Sequence, residues 1–346
     1  MEGTIAEDTE PLMTAVVEEE VRLRSTARSI DDAVKSKYLR DNSPEAKLGR
    51  RRRMIRAAFA EFMCTLIFFT MVFSVIAHGT VSGWNEYDLT YAVALVSGFQ
   101  ATSVIYTFSS ASGAHFNCNI SFALWLTGRL SNRRCVVYIA VQLLASVVAM
   151  GLVAGMFHGD LQTLYDACSL VPTDNVRIAK VFATEFITTF ILTYVAFTVA
   201  FLDAESEKKH SMSFKGISDS KGLTVYASTP QSKAGFAPLA IGLVVFSLAM
   251  VGGSSGPAFN QNRMFGPAVF SGKWAYFYVY YAADLCGAAS ASLIAHNLHL
   301  LGLEQEESMR SSAAALASAC NLRRQSNDGS TSDLEKSYIM SGITKS

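Results

Sequence analysis

Charge is scarce in this 346-residue chain. Charged residues make up 17% of it, against about 25% in soluble domains. Lys+Arg and Asp+Glu each number 29, so the formal net charge is zero and no global basic field marks a nucleic-acid partner. Cysteine is sparse as well: six residues with no CxxC or Cys/His spacing, which leaves no disulfide framework or metal set to expect. Cys64, Cys118, Cys135 and Cys286 fall in or beside apolar runs and read as small buried hydrophobes, Cys168 falls in a polar connection, and Cys320 lies near the end. The first 53 residues carry no apolar h-region and do not read as a signal peptide. No nucleotide-binding or ion-coupling motif stands out. No nucleophile, base and orienting group are arranged together, so an enzyme is not expected, and neither is a cofactor.

What the chain has in quantity is long apolar runs. Half of its residues are hydrophobic, gathered over 57–77, 89–109, 136–157, 179–202, 236–251 and 274–295. Each is about the 17–25 residues of a membrane-spanning helix, with 236–251 marginal. The runs do not alternate as barrel strands do, so six helices in an all-α membrane bundle are expected. The polar ends read as tails over 1–53 and 302–346, with a short helix expected over 313–319. The connections 78–88 and 158–176 contain no Lys or Arg, whereas Arg129, Arg133, Arg134 and Lys208, Lys209, Lys215, Lys221 and Lys233 populate the opposite ones. With Arg50–Arg53 before the first run and Arg323–Arg324 after the last, the positive-inside rule puts both termini in the cytoplasm, as an even number of spans requires. Whether the bilayer is the plasma membrane or an intracellular one stays open.

The chain repeats itself. Residues 60–77 read AEFMCTLIFFTMVFSVIA and residues 184–200 read TEFITTFILTYVAFTVA, so Glu61 with Thr65 matches Glu185 with Thr189. Each half, 54–157 and 177–296, continues with a second run, a short run opened by FN-x-N, and a third run. Three spans per half invert the second half relative to the first, an architecture in which broken helices meet near the midplane. The short runs, 117–127 and 260–271, span about 16 Å at ~1.5 Å per residue, half of a hydrocarbon core. Asn117 and Asn260 are strong N-caps for two half-helices that enter from opposite sides. Each half-helix brings about +0.5 e to the meeting point. Amide donors beside two positive helix ends suit a neutral, oxygen-bearing solute and oppose cations.

AEF at 60–62, SGAHFN at 112–117, LTGR at 126–129, TEF at 184–186 and FN-x-N-R-x-FGPAV at 259–269 together resemble the aquaporin (major intrinsic protein) family of water and small-solute channels. The resemblance covers roughly 54–296 and implies six spanning helices, two re-entrant half-helices and a homotetramer with a pore in each subunit. It implies that Asn117 and Asn260 are central pore amides and that Arg263 belongs to the outer constriction. It further implies that Glu61 and Glu185 brace the re-entrant loops and that His115 lines the inner vestibule. An Arg and half-helix dipoles that exclude protons and cations are the family's selectivity devices. The departure lies in the triplets. The family's Asn-Pro-Ala is here Asn117-Cys118-Asn119 and Asn260-Gln261-Asn262, so a looser junction is expected, with Asn119 and Asn262 as added amides close to the pore axis. Cys118 sits where a mercurial reagent would block the pore unless burial hides it.

Counted from Asn117 and Asn260, Ser97 and Pro257 fall at the positions that the resemblance implies for the constriction with Arg263. The fifth-run position is Ala249 when aligned from Gly242 and Leu248 when counted back from Asn260. Such a filter lacks the aromatic and His of strict water channels, which opens it to glycerol or urea. Met264, where glycerol facilitators have Asp, and Tyr280–Tyr281 favour water. Asp284 stands inside the sixth run, where the family usually has Pro, and reads as a hydrogen-bonded structural carboxyl ahead of a functional one. RRQS ending at Ser326 and KKHS ending at Ser211 resemble basophilic phosphorylation sites. A passive water channel, open also to small neutral solutes, is the expected function. The competing reading is a non-conducting junction protein that keeps the fold.

Overall fold

The computed structural model describes residues 43–172, 176–202, 233–252, 256–299 and 301–302. The expected 313–319 helix, the long connection after 202, Ser211 and Ser326 lie outside these. The chain divides into a unit over 1–60 and a unit over 61–346. Among the described residues every regular element is helical.

Helix α1 (Pro44–Val81) begins thirteen residues before the expected run. Pro44 stands at the first helical position, where its missing N–H costs nothing, and Ser43 Oγ accepts the Ala46 N–H at 3.1 Å. Helix α2 (Glu86–Phe108) is capped by Asn85, which takes the Asp88 N–H. The half-helix α3 (Cys118–Leu126) precedes α4 (Asn132–Met156), capped by Ser131. Helix α5 (Leu161–Cys168), which the sequence reading had left inside a connection, is capped by Asp160. The second half comprises α6 (Ile178–Ala196), ending in a π-helical turn Phe197–Leu202, α7 (Lys233–Val251), the half-helix α8 (Gln261–Ser271) and α9 over 277–299.

Among the described residues four helices are long and apolar enough to cross a membrane: α1, α2, α4 and α6 through Ala200. The apolar part of α7, Gly235–Val251, is shorter, as the marginal 236–251 run had suggested. Helix α9 carries the intramembrane Asp284. The six runs thus all form helices, and both short runs are half-helices.

Helix α2 packs most closely on α7, across the pseudo-twofold relation between the repeats. Gly98 and Gly242 make that approach. A Cβ on Gly98 would lie 2.8 Å from Phe246 Cβ and 2.9 Å from the Gly242 carbonyl oxygen, closer than real side chains come. Small residues replacing large ones let backbones touch where lipid supplies no hydrophobic drive. Half-helix α8 packs on α4 of the other repeat, while α3 touches both α4 and α6. Each half-helix is therefore gripped by both repeats, and their N-termini face each other.

Candidate functional site

Both half-helices begin in the same way. The Asn117 side chain accepts the Asn119 N–H at 2.8 Å, and Asn260 accepts the Asn262 N–H at 3.2 Å. Each amide nitrogen then crosses to the other loop. Asn117 Nδ2 donates to the Phe259 carbonyl at 2.9 Å, and Asn260 Nδ2 donates to the Phe116 carbonyl at 2.9 Å. One N–H of each NH2 is used by this bond; the second remains for whatever occupies the cavity that both residues line.

The loops that deliver these caps are held in unfavourable backbone. Ala114, Phe116 and Phe259 have φ of 50°, 36° and 33°, a left-handed region costing about 1–3 kcal/mol for each such residue. Two buried carboxylates oppose that cost. Glu61 accepts the His115 N–H at 3.0 Å and the Phe116 N–H at 2.9 Å, and Gln142 Nε2 at 2.8 Å. Glu185 accepts the Ala258 and Phe259 N–H groups at 3.0 and 3.2 Å. His115 turns its Nδ1 to Ser121 Oγ at 3.0 Å and its ring edge-on to Tyr138 while lining the cavity.

The cavity measures about 80 Å³. His115, Asn117, Asn260, Ser97, Ala249, Pro257 and Arg263 all line it, so the central amides and the four constriction candidates share one space. Its remaining wall is mostly apolar, including Phe69, Val72, Leu192 and Val245. On α7 the wall is made by Ile241, Val245 and Ala249, a stripe at four-residue spacing. Leu248 is buried away from it. That stripe puts Ala249, and not Leu248, on the cavity wall. The Arg263 guanidinium donates to the Cys168 carbonyl at 2.5 Å and sits 5.7 Å from the centre of the Phe73 ring. Helix α5 presents that carbonyl. It is docked on α8 by Tyr165 stacked on Phe270, by Ser169 Oγ donating to Ser271 Oγ at 2.8 Å, and by Lys273 on Asp166 at 2.9 Å. Burial pushes the Cys168 thiol up to about 12, so it stays protonated and unreactive.

The third triplet residues differ from expectation. Asn119 and Asn262 are wholly buried and do not line the cavity, so they add no amides to the pore axis. They face the protein side of the junction and cross-pair with the second residues of the opposite triplet. Gln261 Nε2 donates to Asn119 Oδ1, and Cys118 Sγ donates to Asn262 Oδ1 at 3.3 Å. Asn119 Nδ2 also reaches the Phe259 carbonyl at 3.2 Å, and Asn262 Nδ2 the Phe116 carbonyl at 3.3 Å. In place of the expected looseness stands a set of cross-loop hydrogen bonds. Cys118 is hidden inside it, out of reach of a reagent in the cavity.

Sequence reasoning missed three supports. Gln142 holds Glu61 and, at 3.2 Å, Ser121 Oγ. Ser146 Oγ donates to the Asn262 carbonyl at 2.5 Å and accepts the Gly266 N–H at 3.1 Å. The Cys168 carbonyl fixes Arg263. Only Gln142 left a trace, as a polar residue inside an apolar run.

Helices long enough to span lipid, two half-helices tip to tip between inverted repeats, and one narrow cavity lined past their junction define an integral membrane channel. The chain belongs to the major intrinsic protein family, whose model matches residues 49–217 and 222–295. It is 36% identical to Aquaporin-B of Dictyostelium discoideum over 247 residues, 70% of this chain and 82% of that one. It is 33% identical to an aquaporin of Enterocytozoon bieneusi (strain H348) over 239 residues, 68% and 92% of the two chains. Its fold is similar to that in the X-ray structure of the aquaglyceroporin from Plasmodium falciparum. The TM-score there is 0.57 at 21% identity, covering 72% of this chain and 99% of that one. The chain is therefore a passive channel for water or small solutes.

Proposed function

We propose that this protein conducts water down its osmotic gradient along the cavity past Asn117 and Asn260. The observation that carries the reading is the reciprocal pair of amides. Each is fixed by its own helix and the opposite loop, and each has one N–H left for a solute oxygen. A water molecule there accepts from both amides while two positive helix ends repel a cation. The apolar walls offer few competing partners, so a file of water moves without being held. Arg263 adds a full positive charge at the outer constriction, held by the Cys168 carbonyl, and hydrated cations meet it before the junction.

Ser97, Ala249 and Pro257 are small or compact, which supports passage of glycerol or urea beside water. The name of the Plasmodium falciparum relative, an aquaglyceroporin, adds to that wider reading. We also propose a homotetramer with both termini cytoplasmic. Tails over 1–53 and 302–346 would flank the 54–301 channel, with repeats over about 54–157 and 177–296. The oligomer rests on the family; the orientation rests on the absence of Lys and Arg from 78–88 and 158–176. Nothing in this reading requires a cofactor or a catalytic step.

Light scattering from proteoliposomes after a sucrose step, and then a glycerol step, tests the proposal. Shrinkage well above empty vesicles, reduced when Asn117 or Asn260 is replaced by Leu, is the expected result. Re-swelling in glycerol extends the substrate range. Shrinkage no faster than empty vesicles from folded, inserted protein would leave a non-conducting membrane protein.

A further inference from the structure

Asp284 lies on α9, 1% exposed and absent from the cavity wall. Its Oδ1 accepts the Thr189 hydroxyl at 2.8 Å, and its Oδ2 accepts Asn119 Nδ2 at 3.2 Å. The second acceptor of Asn119 Nδ2 is the Phe259 carbonyl. A side-chain amide has one donor end and one acceptor end, so two acceptors on one side fix its direction. With its NH2 turned to Asp284 and Phe259, Asn119 must show Oδ1 to Gln261. Gln261 in turn must present its own NH2, as observed. The polarity of the junction therefore runs in one sense, from the carboxyl through Asn119 to the first residue of α8.

We propose that Asp284 is a positioning residue for the pore. Together with the Phe259 carbonyl it sets the direction of the Asn119–Gln261 hydrogen bond and thereby the seating of the α8 N-terminus that carries Asn260. The proposal rests on the reading of Asn117 and Asn260 as pore amides. A directed amide pair joins the two half-helices here, and a directed pair needs something to direct it. Direction does not depend on the charge of Asp284. If the carboxyl holds a proton on Oδ1, that proton is donated to Thr189 Oγ1, and Oδ2 still accepts from Asn119.

That logic has a testable sign. An asparagine introduced at 284 can turn its oxygen to Asn119 and its NH2 to Thr189, so it keeps the native sense. An ionised glutamate introduced at 261 cannot donate, and it sets an oxygen against Asn119 Oδ1. With Asp284 in place Asn119 cannot reverse, because its Oδ1 would then face a second acceptor. With asparagine at 284 the chain can reverse at the cost of the Asn119 Nδ2–Phe259 carbonyl bond: the new NH2 donates to Asn119 Oδ1, Asn119 donates to the new carboxylate, and Thr189 donates to the new oxygen.

The experiment measures water permeability per inserted channel, and melting temperature in detergent, for wild type, D284N, Q261E and the double variant. Q261E should conduct at least about fivefold less than wild type, the scale of one buried hydrogen bond replaced by a conflict. Asp284→Asn should bring no gain in the native background, yet recover part of the loss in the Q261E background, in permeability and in melting temperature alike. Such non-additivity is the signature of directly coupled groups, and a residue that merely filled space would not produce it. A double variant no better than Q261E alone would overturn the proposal. So would D284N as damaging as Q261E, which would assign the role to the charge. If wild type conducts no water, the water reading fails by itself, while the melting temperatures still decide whether Asp284 directs the junction.

Discussion

Replacing Glu61 with Gln removes one negative charge and changes almost no volume, so its consequences fall on hydrogen bonding. The carboxylate accepts at both ends: His115 N–H on Oε1 at 3.0 Å, Phe116 N–H and Gln142 Nε2 on Oε2 at 2.9 and 2.8 Å. A glutamine has one accepting oxygen. If that oxygen takes the Oε2 position, its NH2 confronts the His115 N–H and leaves two buried donors opposed. The remaining bonds also lose their charge assistance. Together these cost roughly 2–4 kcal/mol. The loss falls on a loop whose Ala114 and Phe116 already sit at φ of 50° and 36°, so the loop has strain to release by moving. For a domain of this size ~2–4 kcal/mol lowers the melting temperature by ~4–16 °C. Asn117 follows Phe116 directly, so permeability should fall with it, by about tenfold or more for each ~1.4 kcal/mol spent on misplacing the cap. Stopped-flow shrinkage of proteoliposomes, normalised to inserted protein, and melting in detergent measure the two effects. E61Q that conducts within about twofold of wild type and melts within about 2 °C would refute the bracing argument.

Removing the charge at the constriction with Arg263→Val should raise cation leak by at least about tenfold, since a unit charge 4–8 Å from a passing cation costs it about 2–4 kcal/mol at an effective dielectric near 20. Potassium-driven voltage decay in the same vesicles checks this, and an unchanged leak would show that the helix ends alone exclude cations. Gly98→Ala places a methyl group 2.8 Å from Phe246 Cβ and 2.9 Å from a backbone oxygen. It should cost about 1–3 kcal/mol and lower the melting temperature by ~2–12 °C. Ala249→Phe should abolish glycerol uptake while water flow falls less, because it narrows the cavity that Ala249 and Arg263 both line. The hydrogen bond from Lys273 holds the Asp166 carboxyl below its usual range. A depressed folded value stabilises above the unfolded value near 4 and is lost as pH falls through the depressed one. Exchange protection of α5 should therefore be flat from pH 5 to 8 and fall only below about pH 4. With both partners some 40% exposed, Lys273→Ala should move the melting temperature by no more than about 2 °C.

The helices were legible because lipid leaves so few options. An apolar run of spanning length has to be helical, and an amide before a half-length run has to cap one. The inverted repeat was legible in Glu61–Thr65 and Glu185–Thr189. The start of α1 was missed although Ser43 and Pro44 mark it. Helix α5 was missed although Asp160 accepts the Thr163 N–H at 2.8 Å, a capping spacing visible in the sequence. The direction of Asn119 and Asn262 was misread for a geometric reason. A half-helix turns by about 100° per residue, so a residue two positions after the cavity-facing cap points to the far side. Counting residues likewise could not choose between Ala249 and Leu248, whereas the Ile241–Val245–Ala249 stripe does.

The polar residues deep in α4 and α9 carry the least legible information. Gln142 and Asp284 each follow a fully buried tyrosine, Tyr138 and Tyr280, by four residues, so the repeats put a polar group at equivalent depth. Their chemistry is opposite. Gln142 donates, to Glu61 and Ser121, and strengthens a carboxylate that is already a brace. Asp284 accepts, from Thr189 and Asn119, and gives Asn119 a second acceptor beside the Phe259 carbonyl, which Asn262 does not have. In the first half the second triplet residue is Cys118, a weak donor whose bond to Asn262 at 3.3 Å can carry little directional load. In the second half it is Gln261, which can point either way and needs a fixed neighbour. The backbone of the junction is close to twofold symmetric; its hydrogen-bond polarity is not. An acceptor is required only on the side where the paired amide could reverse, and Asp284 is on that side.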